Sequence, residues 1–334
     1  MASILLLQFR RRIAVKFFTL ILLLAWLSAE TPVRPVSTYS IVALDEETGQ
    51  LGVAVQSHWF SVGTVVPWAK AGVGAVATQS IAEPSYGPKG LALMEKGIPA
   101  DKALQSLLAK DLGEDVRQVA MVDAQGNVGA HTGSRCISYA SHITGKNCSA
   151  QANIMAKPTV PAAMIQAFEN TPGSLAERML AALDAAEAEG GDLRGRQSAA
   201  MLVVSGDPTG DPWKDRIVDL EIADHENPLL ELRRLLRISQ AYRHAQSGDE
   251  YMEQDKMEKA LQEYSAAANY YPDNPELPFW SAVTLAQTGE LEKALPIFKD
   301  VFSRNDNLRE LVPRIVKAGF LTDDQNVLQQ ILAQ

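Results

Sequence analysis

Between residues 38 and 57 the chain alternates apolar and polar positions. TYSIVALD and QLGVAVQS flank the turn EETG, the pattern of a β-hairpin. A third apolar run, Val73 to Thr78, follows an interruption at Pro67. The period then lengthens. Gly87 to Lys96 and Pro99 to Lys110 read as helices, the second opened by a proline and carrying Ala103, Leu104, Leu107 and Leu108 at helical spacing. QVAMVD and VGAHT return to strand about the turn AQGN. Beyond the stretch holding the two cysteines, Ser149 to Ile154 predicts a strand, and Pro161 to Asn170 and Leu175 to Glu189 predict helices. The second of these stops at Gly190-Gly191. Ser198 to Val204 and Ile217 to Ile222 are the last strand patterns. Strands, a helix pair, strands, a helix pair and a final strand pair make an α+β layout, which two sheets stacked between two helical layers accommodate.

Past Asp224 the strand pattern ends. Pro228 to Ala245 is predicted as a helix with Leu229, Leu232, Leu235 and Leu236 on one side, closing the first domain. A repeat follows. Glu258-Lys259-Ala260-Leu261 with Tyr264 recurs thirty-four residues later as Glu292-Lys293-Ala294-Leu295 with Phe298. The period, with Gly248, Ala267 and Pro272 in one copy and Ala282, Leu285 and Val301 in the next, resembles the tetratricopeptide repeat. Small residues there let two antiparallel helices approach, and aromatics fill the groove. Two features depart from the repeat: no Trp takes the early position, and Pro296, inside the second copy, predicts a kink. Leu308 to Leu332 offers further amphipathic helix, read as a degenerate unit capping the stack.

The amino-terminal stretch alters the setting in which these domains work. Arg10, Arg11, Arg12 and Lys16 precede an apolar run from Phe17 to Leu27 that closes on Ser28 and Ala29, the layout of a secretory signal. The expected organisation is a signal over 1–29, a sandwich domain over 38–246 and a helical-repeat domain over 247–334. The product is exported to a periplasmic or extracellular space, or held at the membrane if the signal stays uncut. Net charge is −9, and without the signal it falls to −13, so nucleic acid is excluded as a partner. Cys136 and Cys148 are the two cysteines. In an oxidising compartment they either close a short loop or remain two buried thiols.

TYSIVALDEETGQLGVAV, VVPWAKAGVGAVATQS, PSYGPKGLALM, VDAQGNVGAHTG and GDLRGRQSAAMLVV together resemble the domain of unknown function family numbered 1028, grouped with the N-terminal-nucleophile hydrolases. The resemblance spans Thr38 to Arg237, three fifths of the chain. It implies a four-layer αββα sandwich and a nucleophile at the first residue of the mature chain, here Thr38. A free α-amine, with a pKa near 8, can accept the hydroxyl proton and act as the nucleophile's own base. A β-branched threonine has few χ1 choices and so holds its hydroxyl for attack. The tetrahedral oxyanion needs donors, for which Asn153 is the candidate and Gln79 the reserve. Lys70, thirty-two residues after Thr38, stands where proteasome-type threonine hydrolases place a lysine that lowers the nucleophile's pKa.

Arg196, entering a strand from a Gly-rich turn, is a candidate clamp for a substrate carboxylate, against an ion pair with Asp192 across the same turn. Ser198 is placed in the same cleft, and Ser40 is a second nucleophile candidate on the face of Thr38. Members of the family are sometimes labelled zinc proteases, yet His58, His131, His142, His225 and His244 form no HExxH or comparable spacing. His131 and His142 flank Cys136 and are read as structural. No phosphate loop or dinucleotide fingerprint occurs, so neither a cofactor nor a metal is expected. Trp59, Phe60, Trp68 and Tyr86 gather near the first strands and are expected to fill core. Two readings follow. The chain is an exported amidohydrolase or peptidase-like enzyme that cleaves a C–N bond in a small amide or peptide through Thr38, its repeats binding a protein or peptide partner. Alternatively, the sandwich and repeats form a non-catalytic assembly protein of the envelope. A homodimer through paired sandwiches is compatible with either.

Overall fold

The computed structural model describes residues 38–334. The signal at 1–29 lies outside the described residues. Strands β1 (Thr38–Leu44) and β2 (Leu51–Ser57) form the expected hairpin, paired residue for residue from Thr38 with Ser57 to Leu44 with Leu51. In the turn the Asp45 carboxylate accepts from the amides of Glu47 and Thr48, at 2.9 and 3.1 Å, and Gly49 supplies the left-handed φ of 67°. Next come β3 (Pro67–Lys70), β4 (Gly74–Ser80), α1 (Tyr86–Met94), α2 (Ala100–Leu108), β5 (Arg117–Asp123), β6 (Val128–Thr132), β7 (Ser141–Gly145) and β8 (Cys148–Asn153). Helices α3 (Val160–Asn170) and α4 (Leu175–Ala188), then β9 (Ser198–Val204), a helical turn at Pro212–Asp215, β10 (Arg216–Ile222) and α5 (Pro228–Glu253) follow. Helix α4 starts on a capping box in which Ser174 and Glu177 satisfy each other's amides.

The strands make two antiparallel sheets. One runs β10-β9-β2-β1-β8-β7 and the other β3-β4-β5-β6. Their inner faces meet: Val42, Val53 and Val55 of the first sheet pack with Ala75, Ala77, Ala120 and Val122 of the second. The outer face of the larger sheet, with Ile41, Ala54 and Met201, is covered by Met164, Phe168, Met179 and Leu183 of α3 and α4 and by Leu232 and Leu236 of α5. Leu91, Met94 and Leu104 of α1 and α2 cover Val76, Val119 and Met121 on the smaller sheet. A Cβ on Gly87 would sit 2.2 Å from the Trp68 ring, so this glycine sets how closely α1 lies over β3.

Two strands escape the sequence pattern. β3 begins on Pro67 and β7 is the polar, part-exposed SHITG; both are edge strands, where pairing on one side alone demands little of the sequence. Trp68 and Tyr86 pack as core while Phe60 is exposed. Helix α5 continues past the predicted end at Ala245 to Glu253. The helical region beyond it comprises α6 (Met257–Tyr270), α7 (Glu276–Gln287), α8 (Leu291–Arg304), α9 (Asn307–Lys317) and α10 (Gln325–Leu332). Helix α8 runs on through Pro296. Phe279, Phe298, Val301, Val312 and Ile331 form a core separate from those of the sheets, with Phe279 edge-on to Phe298 at 5.8 Å. Among the described residues no helix is long and apolar enough to cross a membrane.

Candidate functional site

Alternation along β1 sends Tyr39, Ile41 and Ala43 outward and Thr38, Ser40, Val42 and Leu44 into the layer between the sheets. One end of that layer is apolar. The other is polar and buried. Register places Ser198, Ser57, Thr38 and Asn153 side by side on β9, β2, β1 and β8, a row across four neighbouring strands. All four are fully buried. Thr38 Oγ1 donates to Ser57 Oγ at 3.2 Å. Ser198 Oγ accepts from the amide of Val62 at 3.2 Å and donates to the carbonyl of Trp59.

The facing sheet contributes Gln79 and Gln118, paired in register on β4 and β5. Gln79 Nε2 lies 3.3 Å from the carbonyl oxygens of Thr38 and Gln151 and donates to Gln118 Oε1 at 2.7 Å. Asn153 Nδ2 donates to the same Gln118 oxygen at 2.9 Å. Gln118 Nε2 donates to the carbonyl of Ala152 at 2.9 Å and to Thr132 Oγ1 at 3.0 Å. Ser40 Oγ donates to Gln79 Oε1 and accepts from Gln151 Nε2, both at 2.6 Å. Amide side chains thus stitch the two sheets together where valines do so at the other end. Each buried polar group costs a few kcal/mol unless its bonds are made, so the arrangement is held in register by its own hydrogen bonds.

Of the residues singled out from the sequence, Thr38, Ser40, Asn153, Gln79 and Ser198 therefore come together. Lys70 and Arg196 do not join them. Lys70 pairs with Gly74, five residues along β4 from Gln79 and so on the order of 17 Å away along the strand. Its ammonium pairs with Glu95 at 2.5 Å, and it cannot tune Thr38 from there. Arg196 stands outside the larger sheet, bonded to Glu187 at 2.6 Å and to Asn227 at 2.8 Å. The partner of Asp192 is Arg194 instead, at 3.0 Å. Glu187 also accepts from the Tyr39 hydroxyl at 2.7 Å. Burial first, and then that carboxylate, push the Tyr39 phenol well above its ordinary pKa.

Both cysteines are free. Cys148 lies on the outer face of β8 under α3, while Cys136 Sγ donates to the Arg117 carbonyl, so the short loop is not closed. Burial raises both thiols, Cys148 to about 11. His131 Nε2 lies 2.8 Å from the carbonyl of Glu114, and His142 Nδ1 lies 2.9 Å from Thr132 Oγ1. Among the described residues no three potential ligands are grouped for a metal.

The model of a family of unknown function, DUF1028, matches residues 38–232. The chain belongs to that family. The matched stretch contains the ten strands of the described residues and ends early in α5. The crystal structure of a DUF1028 protein from Silicibacter pomeroyi is similar, at 33% identity, over 60% of this chain and 85% of that one, with a TM-score of 0.55. No curated protein matches.

Sequence reasoning passed over Ser57, Gln118, Gln151 and Thr132. The signal was present in the alternation. Gln118 shares a strand face with Ala120 and Val122, and Gln151 shares one with Ser149 and Asn153. Polar residues at inward positions of buried strands mark a site more specifically than any short motif in this chain.

Proposed function

We propose that this member of DUF1028 is an amide hydrolase of the N-terminal-nucleophile type, with Thr38 as nucleophile once the segment ahead of it is removed. One observation carries the reading: Thr38 lies on the central strand β1, its side chain in a buried polar row with Ser57 and Asn153, and Gln79 faces it from the other sheet. In the proposed reaction the freed α-amine takes the hydroxyl proton as Oγ1 attacks the amide carbon. Asn153, held by Gln118, supplies the preorganised amide dipole for the oxyanion. The protonated amine then returns its proton to the leaving nitrogen, and water hydrolyses the ester. Two facing sheets between helical layers suit the αββα sandwich of that hydrolase class. With Lys70 paired elsewhere, the α-amine is the base of this scheme.

The helical region fits a tetratricopeptide-type module that binds a peptide or protein. A Cβ on Gly248 would meet the Tyr264 ring at 2.6 Å, and Ala282 and Phe298 occupy the same places thirty-four residues on. A second reading, a non-catalytic envelope assembly factor, draws on the pairing of the Gln79, Gln118 and Gln151 side chains with one another and with their neighbours, which needs no substrate. The two part at the mature amino terminus. Sequencing the exported protein is expected to begin at Thr38, and Thr38→Ala is expected to lower turnover in an amide screen at least 100-fold. A mature chain that retains residues ahead of Thr38, or retained turnover in the variant, contradicts the hydrolase reading and favours the assembly factor.

A further inference from the structure

The polar layer does not end at Thr38. At the edge formed by β6 and β7 it opens into a pocket of about 410 Å³ lined by Thr132, Cys136, Ser138, Ser141 and His142. The orientation of the Gln118 amide at this edge is fixed by chemistry. Gln118 Nε2 faces the carbonyl oxygens of Ala152 at 2.9 Å and Ser141 at 3.2 Å, which only accept, so its nitrogen end is unambiguous. Its two protons are shared among those carbonyls and Thr132 Oγ1, which lies 3.0 Å away. Thr132 Oγ1 also lies 2.9 Å from His142 Nδ1, within reach for its own proton to pass to that nitrogen. In the tautomer that carries its proton on Nε2, the imidazole offers Nδ1 to that hydroxyl as a base.

The same logic extends inward. Ser149 donates to Gln151, Gln151 to Ser40, Ser40 to Gln79, Gln79 to Gln118 and Gln118 to Thr132. Every link points the same way, toward His142, and each polarises the next. A chain so directed strengthens as negative charge develops on Thr132 Oγ1, because the Gln118 N–H behind it is already aimed there. Burial and then His131 hold the His142 imidazole below its ordinary pKa, so the neutral, proton-accepting form prevails near neutral pH.

We infer that Thr132 and His142 are a nucleophile and general base for acyl transfer from a small ester or amide, at a site that needs no free amine on Thr38. Thr132 Oγ1 bonds to the acyl carbon as its proton passes to Nδ1. The tetrahedral adduct collapses by breaking the bond to the alkoxide or amine, which leaves with that proton. Water then attacks the Thr132 ester, gives one proton to His142, and the hydroxyl is restored as the acid departs.

A fluorophosphonate ester, whose P–F bond breaks as a P–O bond forms and the hydroxyl proton goes to His142, tests this on the full chain. Peptide mass mapping is expected to place one adduct on Thr132. Thr132→Ser, which keeps the hydroxyl and its bonds, is expected to retain labelling. His142→Gln, folded by circular dichroism, is expected to label at least tenfold more slowly. No adduct on the folded protein, loss of labelling in Thr132→Ser, or an unchanged rate in His142→Gln overturns the inference. An adduct on Thr38 in place of Thr132 overturns it too, while supporting the separate proposal for that residue.

Discussion

The two ends of the layer between the sheets are built on the same strands and filled in opposite ways. On β1 and β2 the pairs Leu44 with Leu51 and Val42 with Val53 stand at one end, and Thr38 with Ser57 stands at the other. On β4 and β5, Ala75 and Val122 give way to Gln79 and Gln118. The apolar end needs only shape and volume and returns roughly 25 cal/mol for each Å² it buries. The polar end needs every donor matched to an acceptor and gains little net stability for doing so, since its groups were already bonded to water before folding. A layer built only for stability would be apolar throughout. The expense of the polar end is what makes it the candidate site.

The largest expected effect breaks the polar end at its hub. Gln118→Leu removes the oxygen that receives Gln79 and Asn153 and the nitrogen that serves Thr132, and is expected to cost about 3 kcal/mol in urea unfolding. A loss under about 1 kcal/mol would mean the network is loosely held. Val53→Ala at the apolar end is expected to cost about 2 kcal/mol while leaving the reactivity of the polar hydroxyls unchanged. If both variants alter reactivity alike, the division between the ends is wrong. Gly248→Ala forces a Cβ against Tyr264 and is expected to cost about 1 kcal/mol, read as lost amide-exchange protection in α5 and α6 with the strands unaffected.

The smallest effect is electrostatic. His142 binds its proton more weakly in the fold than the ordinary value of 6.5, mainly through burial and then through His131. Its contribution to stability is therefore present above pH 6.5 and is lost as pH falls through the depressed value. His142→Gln is expected to flatten the acid side of a urea-midpoint profile taken from pH 8 to 5. A profile identical to that of the parent would mean that His142 is not held as described.

The hairpin, the two helix pairs and the final strands were legible because period and turn chemistry agree there: TYSIVALD and QLGVAVQS alternate around a turn with Gly49 where a left-handed residue is required. The edge strands β3 and β7 were illegible because an edge, paired on one side, accepts Pro67 and the polar SHITG. In the candidate site, Thr38, Asn153 and Gln79 were singled out through one resemblance, and the fold brings them together. Lys70 was misplaced because a spacing along the chain says nothing about which end of a sheet it reaches. For Arg196 the sequence offers a substrate clamp or an ion pair with its near neighbour Asp192, whereas Glu187 reaches it from the end of α4, a partner that nearness along the chain does not suggest. Gln118, Gln151 and Thr132 were missed because each is tied to residues on other strands, Gln118 to Gln79 and Asn153, Gln151 to Ser40, and Thr132 to Gln118 and His142, which distance along the chain does not reveal.

The most direct test of the central claim is to map every hydroxyl in the folded protein that an electrophilic β-lactone acylates, by peptide mass spectrometry. The account predicts acylation confined to the polar end of the layer, at Thr38 in chains that begin there and at Thr132 beside His142. Acylation spread over exposed serines elsewhere, with Thr38 and Thr132 both untouched, would contradict it.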